Sequence, residues 1–349
     1  MQFPQYQIII TTVTPTGAQT VQQRFNKRVI HLYLPYDLPY SIQRFLKQLQ
    51  PAICVIMETE LWPNLYHYCH LQNVPIILVN ARMSLRSLSG YKYFGSLMKK
   101  TLDCVDQVIA QTQLDADRII SMGFDPTRAS VAGNLKFDVS IPSDLNLQAQ
   151  SIRAELFSNR PVWIAASTHE NEEELVLDAH ERILTEFNNC LLIIAPRHPQ
   201  RFDKVADLCI KRGFNVVRKS SNVERREVTQ IFLLDTLGEL QLYYGCADFA
   251  FVGGSLVPAG GHNMLEPASM GVPIISGIHV SNFHEISNLL LEAKAIFLIK
   301  DTSELVEKAT MLLTDERLRQ QMVVNGKRLV AENRGGTHQV MTILQSILE

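Results

Sequence analysis

Phe251-Val252-Gly253-Gly254-Ser255-Leu256-Val257-Pro258-Ala259-Gly260-Gly261-His262-Asn263-Met264-Leu265-Glu266-Pro267-Ala268 is the stretch from which the fold is read. Its apolar lead-in, 247–252, predicts a buried strand, and a helix is expected from about Asn263. Between them, Gly253 and Gly254 permit a sharp turn as the strand ends. Gly260 and Gly261 bring backbone N–H groups up to the helix start, a place that favours negative charge. Glu266 falls in the first helical turn, where its carboxylate can accept hydrogen bonds from a ribose. A glycine-rich turn that only redirects the chain is the competing explanation, and glycine spacing alone does not decide between them. With His262, Asn263 and Glu266 the string is far more specific.

The same strand–loop–helix pattern recurs on both sides of this stretch. Before it, strands are predicted at 6–13, 29–34, 52–57, 75–79, 107–111 and 129–132, the first read as a buried parallel strand. A second series is predicted at 162–166, 191–195 and 228–234, and resumes at 273–276 and 295–299. Helical segments separate them, and helices run from 302 to the end. Such alternation reads as an α/β protein with doubly wound parallel sheets. We divide it into an N-terminal Rossmann-like domain, 1–138, a linker, 139–147, with Pro142 as its rigid point, and a C-terminal Rossmann-like domain, 148–349. Two such halves predict a cleft lined by the carboxyl ends of strands.

Composition narrows the class. Hydrophobic residues make up 46% and charged residues 19% of 349, with a net charge of −2. That suits a globular protein and argues against nucleic-acid binding through a broad basic surface. Cys54, Cys69, Cys104, Cys190, Cys209 and Cys246 form no C-x-x-C pair. Reduced thiols are expected, and no zinc site. No apolar run reaches the roughly 18 residues of a membrane helix. Met1-Gln2-Phe3-Pro4-Gln5 lacks the basic start of a signal peptide. The expectation is a soluble chain without a membrane anchor.

Polar groups gather where strands end. Met57-Glu58-Thr59-Glu60-Leu61-Trp62-Pro63 follows a strand. In extended backbone Glu58 and Glu60 would point to one side, where α/β proteins place active sites. Acids decorating a helix start are the alternative. Lys136, in Gly133-Asn134-Leu135-Lys136-Phe137-Asp138, can neutralise a phosphate or carboxylate, and a surface pair with Asp138 explains it equally well. In Ser167-Thr168-His169-Glu170, a hydroxyl reads as a helix N-cap. Arg197, after Pro196, is the best candidate to grip a phosphate. Asp235-Thr236-Leu237-Gly238-Glu239-Leu240 again joins a strand to a helix. Four strand-end loops thus converge on one rim of the second half, which suggests a nucleotide-linked donor.

ETELWPN at 58–64, NARMS at 80–84, GNLKFD at 133–138, STHE at 167–170, PRHP at 196–199, DTLGEL at 235–240 and the opening string closely resemble the 3-deoxy-D-manno-octulosonic acid (Kdo) transferases of Gram-negative lipopolysaccharide synthesis. The resemblance covers almost the whole chain, in the family's order. It implies a two-domain GT-B glycosyltransferase with CMP-Kdo as donor and a lipid A precursor, lipid IVA, as acceptor. No metal or other cofactor is implied, and the family works at the cytoplasmic face of the inner membrane. By this resemblance Pro196, Arg197, Leu237, Gly238, Glu239, Asn263, Met264, Leu265 and Glu266 contact CMP, and Glu58 and Lys136 stabilise the transition state. Lysine suits the departing anionic CMP and a carboxylate the oxocarbenium-like sugar. Family members carry further residues ahead of the point matching Met1, including a membrane anchor, a first strand and a Gly-Glu motif with the general base. The chain is therefore expected to bind CMP but to transfer weakly or not at all. A nucleotide-sugar 2-epimerase or a lipid A disaccharide synthase is disfavoured by ETELWP and GNLKFD. A non-catalytic CMP-sugar-binding remnant remains the alternative of a different class.

Overall fold

The computed structural model describes residues 3–157, 160–221 and 228–349. The chain forms two units, Met1–Leu135 with Gly335–Glu349, and Lys136–Arg334.

The first unit contains β1 (Ile9–Thr12), α1 (Pro15–Phe25), β2 (Ile30–Tyr33), α2 (Pro39–Leu49), β3 (Cys54–Met57), α3 (Pro63–Leu71), β4 (Ile76–Ala81), α4 (Leu85–Tyr93), α5 (Gly95–Asp103), β5 (Gln107–Ala110), α6 (Gln113–Ile120) and β6 (Ala129–Val131). Its strands form two parallel sheets, β1-β2 and β3-β4-β5-β6. Alternate residues of β4 face opposite ways, as strand geometry demands. Ile76 and Leu78 pack with Ile42, Leu46, Tyr66, Leu102 and Ile119 of the flanking helices. Ile77 and Val79 pack on the other side.

The second unit contains α7 (Leu145–Leu156), β7 (Val162–Thr168), α8 (Glu172–Glu186), β8 (Leu191–Pro196), α9 (Phe202–Lys211), β9 (Val216–Arg218), β10 (Ile231–Leu233), α10 (Leu240–Tyr244), β11 (Phe249–Val252), α11 (Leu265–Met270), β12 (Ile274–Gly277), α12 (His284–Glu292), β13 (Ile296–Ile299), α13 (Thr302–Thr314) and α14 (Glu316–Glu332). Its seven strands form one parallel sheet ordered β13-β12-β11-β7-β8-β10-β9. Trp163 and Ala165 of β7 pack beneath α8 and α13, with Val176, Leu305 and Leu312. Val162, Ile164 and Ala166 face the other layer, with Ala149, Tyr243, Tyr244 and Met270. Helices on both faces explain why these strands read as unbroken apolar runs.

Three expectations are corrected and one strand is added. The last helix, α15 (Gly336–Leu348), belongs to the first unit and not to a domain spanning 148–349. Its Val340, Ile343, Leu344 and Ile347 cover Ile77, Val79 and Ile109. The segment 139–147 is packed chain: Val139 lies against one core cluster, Ile141 and Leu145 against another, and α7 begins at Leu145. The strand expected at 6–13 is shorter and only partly buried, with Ile8 and Val13 44% and 58% exposed. The short strand β9 went unread. All six cysteines are free thiols, four of them buried. Among the described residues no helix is long and apolar enough to cross a membrane.

Candidate functional site

In the second unit, β11, β7, β8 and β10 are consecutive neighbours, all parallel. Their carboxyl ends therefore lie side by side. They carry the 253–266 loop, Ser167–Glu170, Pro196–Arg197 and Asp235–Glu239 respectively. The convergence read from the sequence is a direct result of strand order.

The glycine loop is organised otherwise than expected. Glu172 is fully buried, and its carboxylate accepts the N–H groups of Gly254 at 2.7 Å, Ser255 at 3.0 Å, Leu256 at 2.9 Å and His169 at 3.1 Å. The first half of the loop thus wraps an internal anion and offers those N–H groups to no ligand. The N–H of Gly261 is also used, on the carbonyl of Gly254 at 2.8 Å. Gly253 must lack a side chain, since a Cβ would stand 2.7 Å from Glu172 Oε2 and 2.8 Å from Ser167 O. Ser255 extends the lock to the next strand: its Oγ donates to Val252 O at 2.6 Å and accepts from the N–H of Gly277 at 2.8 Å. A Cβ on Gly277 would meet Ser255 O at 2.0 Å.

Past the lock the chain presents His262, Asn263, Met264, Leu265 and Glu266. The helix α11 begins at Leu265, two residues later than expected, because Asn263 Oδ1 accepts the N–H of Leu265 at 3.1 Å. Asn263 Nδ2 donates to Glu266 Oε1 at 3.0 Å, so the two polar side chains form one partly buried unit. Met264 and Leu265 are buried and hold the turn from below.

The β7 loop also departs from its expected form. Neither Ser167 nor Thr168 caps α8; the helix begins at Glu172, and Asn171, at φ 67°, precedes it. Ser167 lies at φ 58°, and Thr168, the last residue of β7, donates its hydroxyl to Glu173 Oε1 at 3.3 Å. Burial pushes the Glu173 carboxyl up despite its ion pair with Arg201 at 2.9 Å. Arg197 is exposed; among the described residues its backbone N–H is tied down, to Thr168 O at 3.0 Å, and its guanidinium makes no hydrogen bond or ion pair. At the end of β10, Asp235 is 9% exposed and takes hydrogen bonds from Arg218 Nε at 2.7 Å and Ser220 N at 2.8 Å. Burial raises its carboxyl, but the Ser220 and Arg218 bonds outweigh this and hold it below the usual range. Beyond it Leu237 and Gly238 are exposed, and Glu239 is tied to the Thr236 hydroxyl.

Imidazoles belong to this rim as well. The rings of His169 and His262 are nearly parallel, 11° apart, and meet edge to edge with centres at 5.0 Å and Nε2 to Nε2 at 2.7 Å, and His198 stands edge-on to His169 at 5.5 Å. Sequence reading gave His262 no defined role and saw no partner for it, because ninety-three positions separate the pair. It also gave Glu172 no role beyond an acid at a helix start, since it is one of three consecutive acids with no sign of which is buried.

Glu58 follows β3 in the first unit. Its φ of 59° is left-handed, so the extended geometry that would align Glu58 with Glu60 is absent. Its N–H donates to Val79 O at 2.8 Å. Glu60 instead accepts Trp62 Nε1 at 3.2 Å. Lys136 lies in the second unit, exposed, with Nζ 5.5 Å from the centre of the Phe283 ring. Asn80 prepares the chain ahead of it, its Oδ1 accepting the N–H of Leu135 at 2.9 Å. Among the described residues no cluster of three or more His, Cys, Asp or Glu suits a metal ion.

A family model for 3-deoxy-D-manno-octulosonic-acid transferase (kdotransferase) matches residues 1–139. The 3-deoxy-D-manno-octulosonic acid transferase of Haemophilus influenzae is 40% identical over 348 residues, 99% of this chain and 82% of that protein. The C-terminal CMP-Kdo binding domain of WaaA from Acinetobacter baumannii is 32% identical and covers 54% of this chain and 99% of its own, with a TM-score of 0.52. The UDP-GlcNAc 2-epimerase of Neisseria meningitidis superposes over 99% of this chain and 94% of its own, with a TM-score of 0.60; at 14% identity it shares the fold alone. By sequence likeness over nearly its full length, the chain belongs to the 3-deoxy-D-manno-octulosonic acid transferase family and is a glycosyltransferase of the GT-B fold.

Proposed function

We propose that the chain transfers Kdo from CMP-Kdo to a lipid A precursor, lipid IVA, at a membrane surface. The observation that carries this reading is the delivery of Arg197, Glu239, Asn263 and Glu266 to one rim by three strands, β8, β10 and β11, of one parallel sheet. Arg197 pairs with the donor phosphate, while the Asn263–Glu266 unit and Glu239 take hydroxyls of the nucleoside. Pro196, Leu237, Gly238, Met264 and Leu265 shape the backbone around them. Glu58 stabilises the oxocarbenium-like sugar and Lys136 the departing phosphate, so charge placement does the work of a metal.

The acceptor side rests on the stretch 82–102 of the first unit. Leu85, Tyr93, Phe94 and Leu97 are exposed, Tyr93 by 86%. Arg82, Arg86, Lys92, Lys99 and Lys100 lie exposed among them, and no acid interrupts the stretch. Aromatic and basic residues together suit an anionic lipid surface.

The test is transfer from CMP-Kdo to lipid IVA. We expect Arg197→Ala to raise the donor KM roughly 10- to 100-fold. Glu58→Gln should lower kcat at least about 100-fold at nearly constant KM. Wild-type activity left intact by Glu58→Gln would remove Glu58 from the mechanism. CMP binding without transfer would point to a donor-binding protein instead.

A further inference from the structure

We propose that the hydrogen-bonded His169–His262 pair is an anion subsite of the donor-binding rim, one that takes up a proton as the phosphate-linked donor arrives. The inference rests on the donor reading above and adds residues and a proton to it. Its basis is geometric. His169 follows β7 and His262 follows β11, neighbouring strands of one sheet, and the Glu172 carboxylate anchors both loops. The pair stands on the same rim as Arg197 and Asn263.

The proton count follows from the 2.7 Å contact. In the neutral pair one Nε2–H donates to the other Nε2, which leaves one Nδ1–H and one bare Nδ1. A single added proton goes to that bare Nδ1. The shared Nε2–H···Nε2 bond survives, the pair becomes a cation, and both Nδ1 atoms become donors. A second proton would set Nε2–H against Nε2–H and break the pair. One proton per site is therefore the capacity.

The surroundings explain why the proton waits for a ligand. Burial, and then the neighbouring His169, Arg197 and His198, hold His262 at about 4. Burial also lowers His169, opposed by Glu172 and assisted by His198, Arg197 and Arg201. Of these charges Glu172 is occupied by four N–H groups, and Arg201 by Glu170 and Glu173 at 2.9 Å each. Arg197 makes no ion pair among the described residues, so an entering anion meets one open guanidinium beside two neutral imidazoles. The anion reverses the field and favours the protonated pair.

The experiment is calorimetric binding of cytidine 5′-(methyl phosphate) to the full chain. This phosphodiester has no proton titrating near neutrality, unlike a phosphate monoester. Binding is measured at pH 6 to 8 in two buffers of different ionisation enthalpy. Wild type should take up a substantial fraction of one proton, with affinity rising by up to about tenfold per unit fall in pH. His169→Gln/His262→Gln, checked for folding by its melting curve, should bind more weakly and with little proton uptake. Wild-type binding with no proton uptake overturns the proposal and leaves the donor reading standing. Uptake unchanged in the double variant overturns it too. No binding at all removes both.

Discussion

At the carboxyl ends of β7 and β11, a fully buried carboxylate gathers four N–H groups from two loops. At the carboxyl ends of β3 and β4 the ties are shared among several groups: Thr59 and Arg82 share a hydroxyl contact, the half-buried Trp62 indole donates to Glu60, Asp37 accepts the N–H groups of Asn64 and Leu65, and Asp115 accepts that of Met83. The connection type is the same in both units; in the second a single carboxylate gathers the ties, and in the first several groups share them. A carboxylate under a loop fixes backbone positions whether or not a ligand is present, which suits a rim that must meet a rigid nucleotide. The first unit leaves part of its sheet near solvent, with Val55 and Met57 of β3 41% and 54% exposed.

The comparison breaks first at Glu172. Glu172→Ala strands four backbone donors, each worth about 1–3 kcal/mol when unsatisfied, and water recovers only part. We expect a loss on the order of 4 kcal/mol in urea unfolding of the second unit. A loss below about 1 kcal/mol would mean the lock is an ornament.

Next in size is His180, buried beside Trp163. Its Nδ1 accepts the indole N–H at 3.2 Å and its Nε2 faces Gln230 O at 3.0 Å, so the neutral ring is satisfied. Burial holds it at about 4, against an ordinary 6.5. The folded value is depressed, so the unfolded chain takes the proton first. Stability is then fully present above pH 6.5 and falls as pH drops towards 4, by about 3 kcal/mol. Urea titrations at several pH values should show this slope in wild type and a flatter one in His180→Gln. Parallel profiles would place the acid sensitivity elsewhere.

The smallest effect sharpens the first-unit side. Asn80 sits at φ 56° and holds Leu135 through one neutral amide. Asn80→Ala should cost about 1–2 kcal/mol, from strain and a lost hydrogen bond. Asn80→Gly should cost less, since glycine keeps the conformation. A loss equal to that of Glu172→Ala would erase the distinction between the units.

How far the sequence foretold this differs by region for physical reasons. The strands around β7, β8 and β11 were legible because helices bury both faces, which leaves an uninterrupted apolar run. The 6–13 run looked the same but belongs to a two-stranded sheet, and hydropathy does not report how many neighbours a strand has. The rim was legible because strand ends with Arg197, Glu239 and Asn263 recur in order. The Glu172 lock and the His169–His262 pair were not, because they depend on which distant loops the strand order brings together. Left-handed residues such as Glu58 and Ser167 defeated the assumption of extended or capping geometry.

The placement of α15 governs how the protein is made. The first unit is interrupted by the whole of the second, and the helix that covers β4 and β5 is translated after both. At ordinary synthesis rates it leaves the ribosome on the order of 10 to 40 seconds after β6. During that interval, in which the second unit is made up to Arg334, Ile77, Val79 and Ile109 have no lid. The older half of the polypeptide thus waits uncovered while the younger half is synthesised, which makes the nascent first unit the natural client of a chaperone.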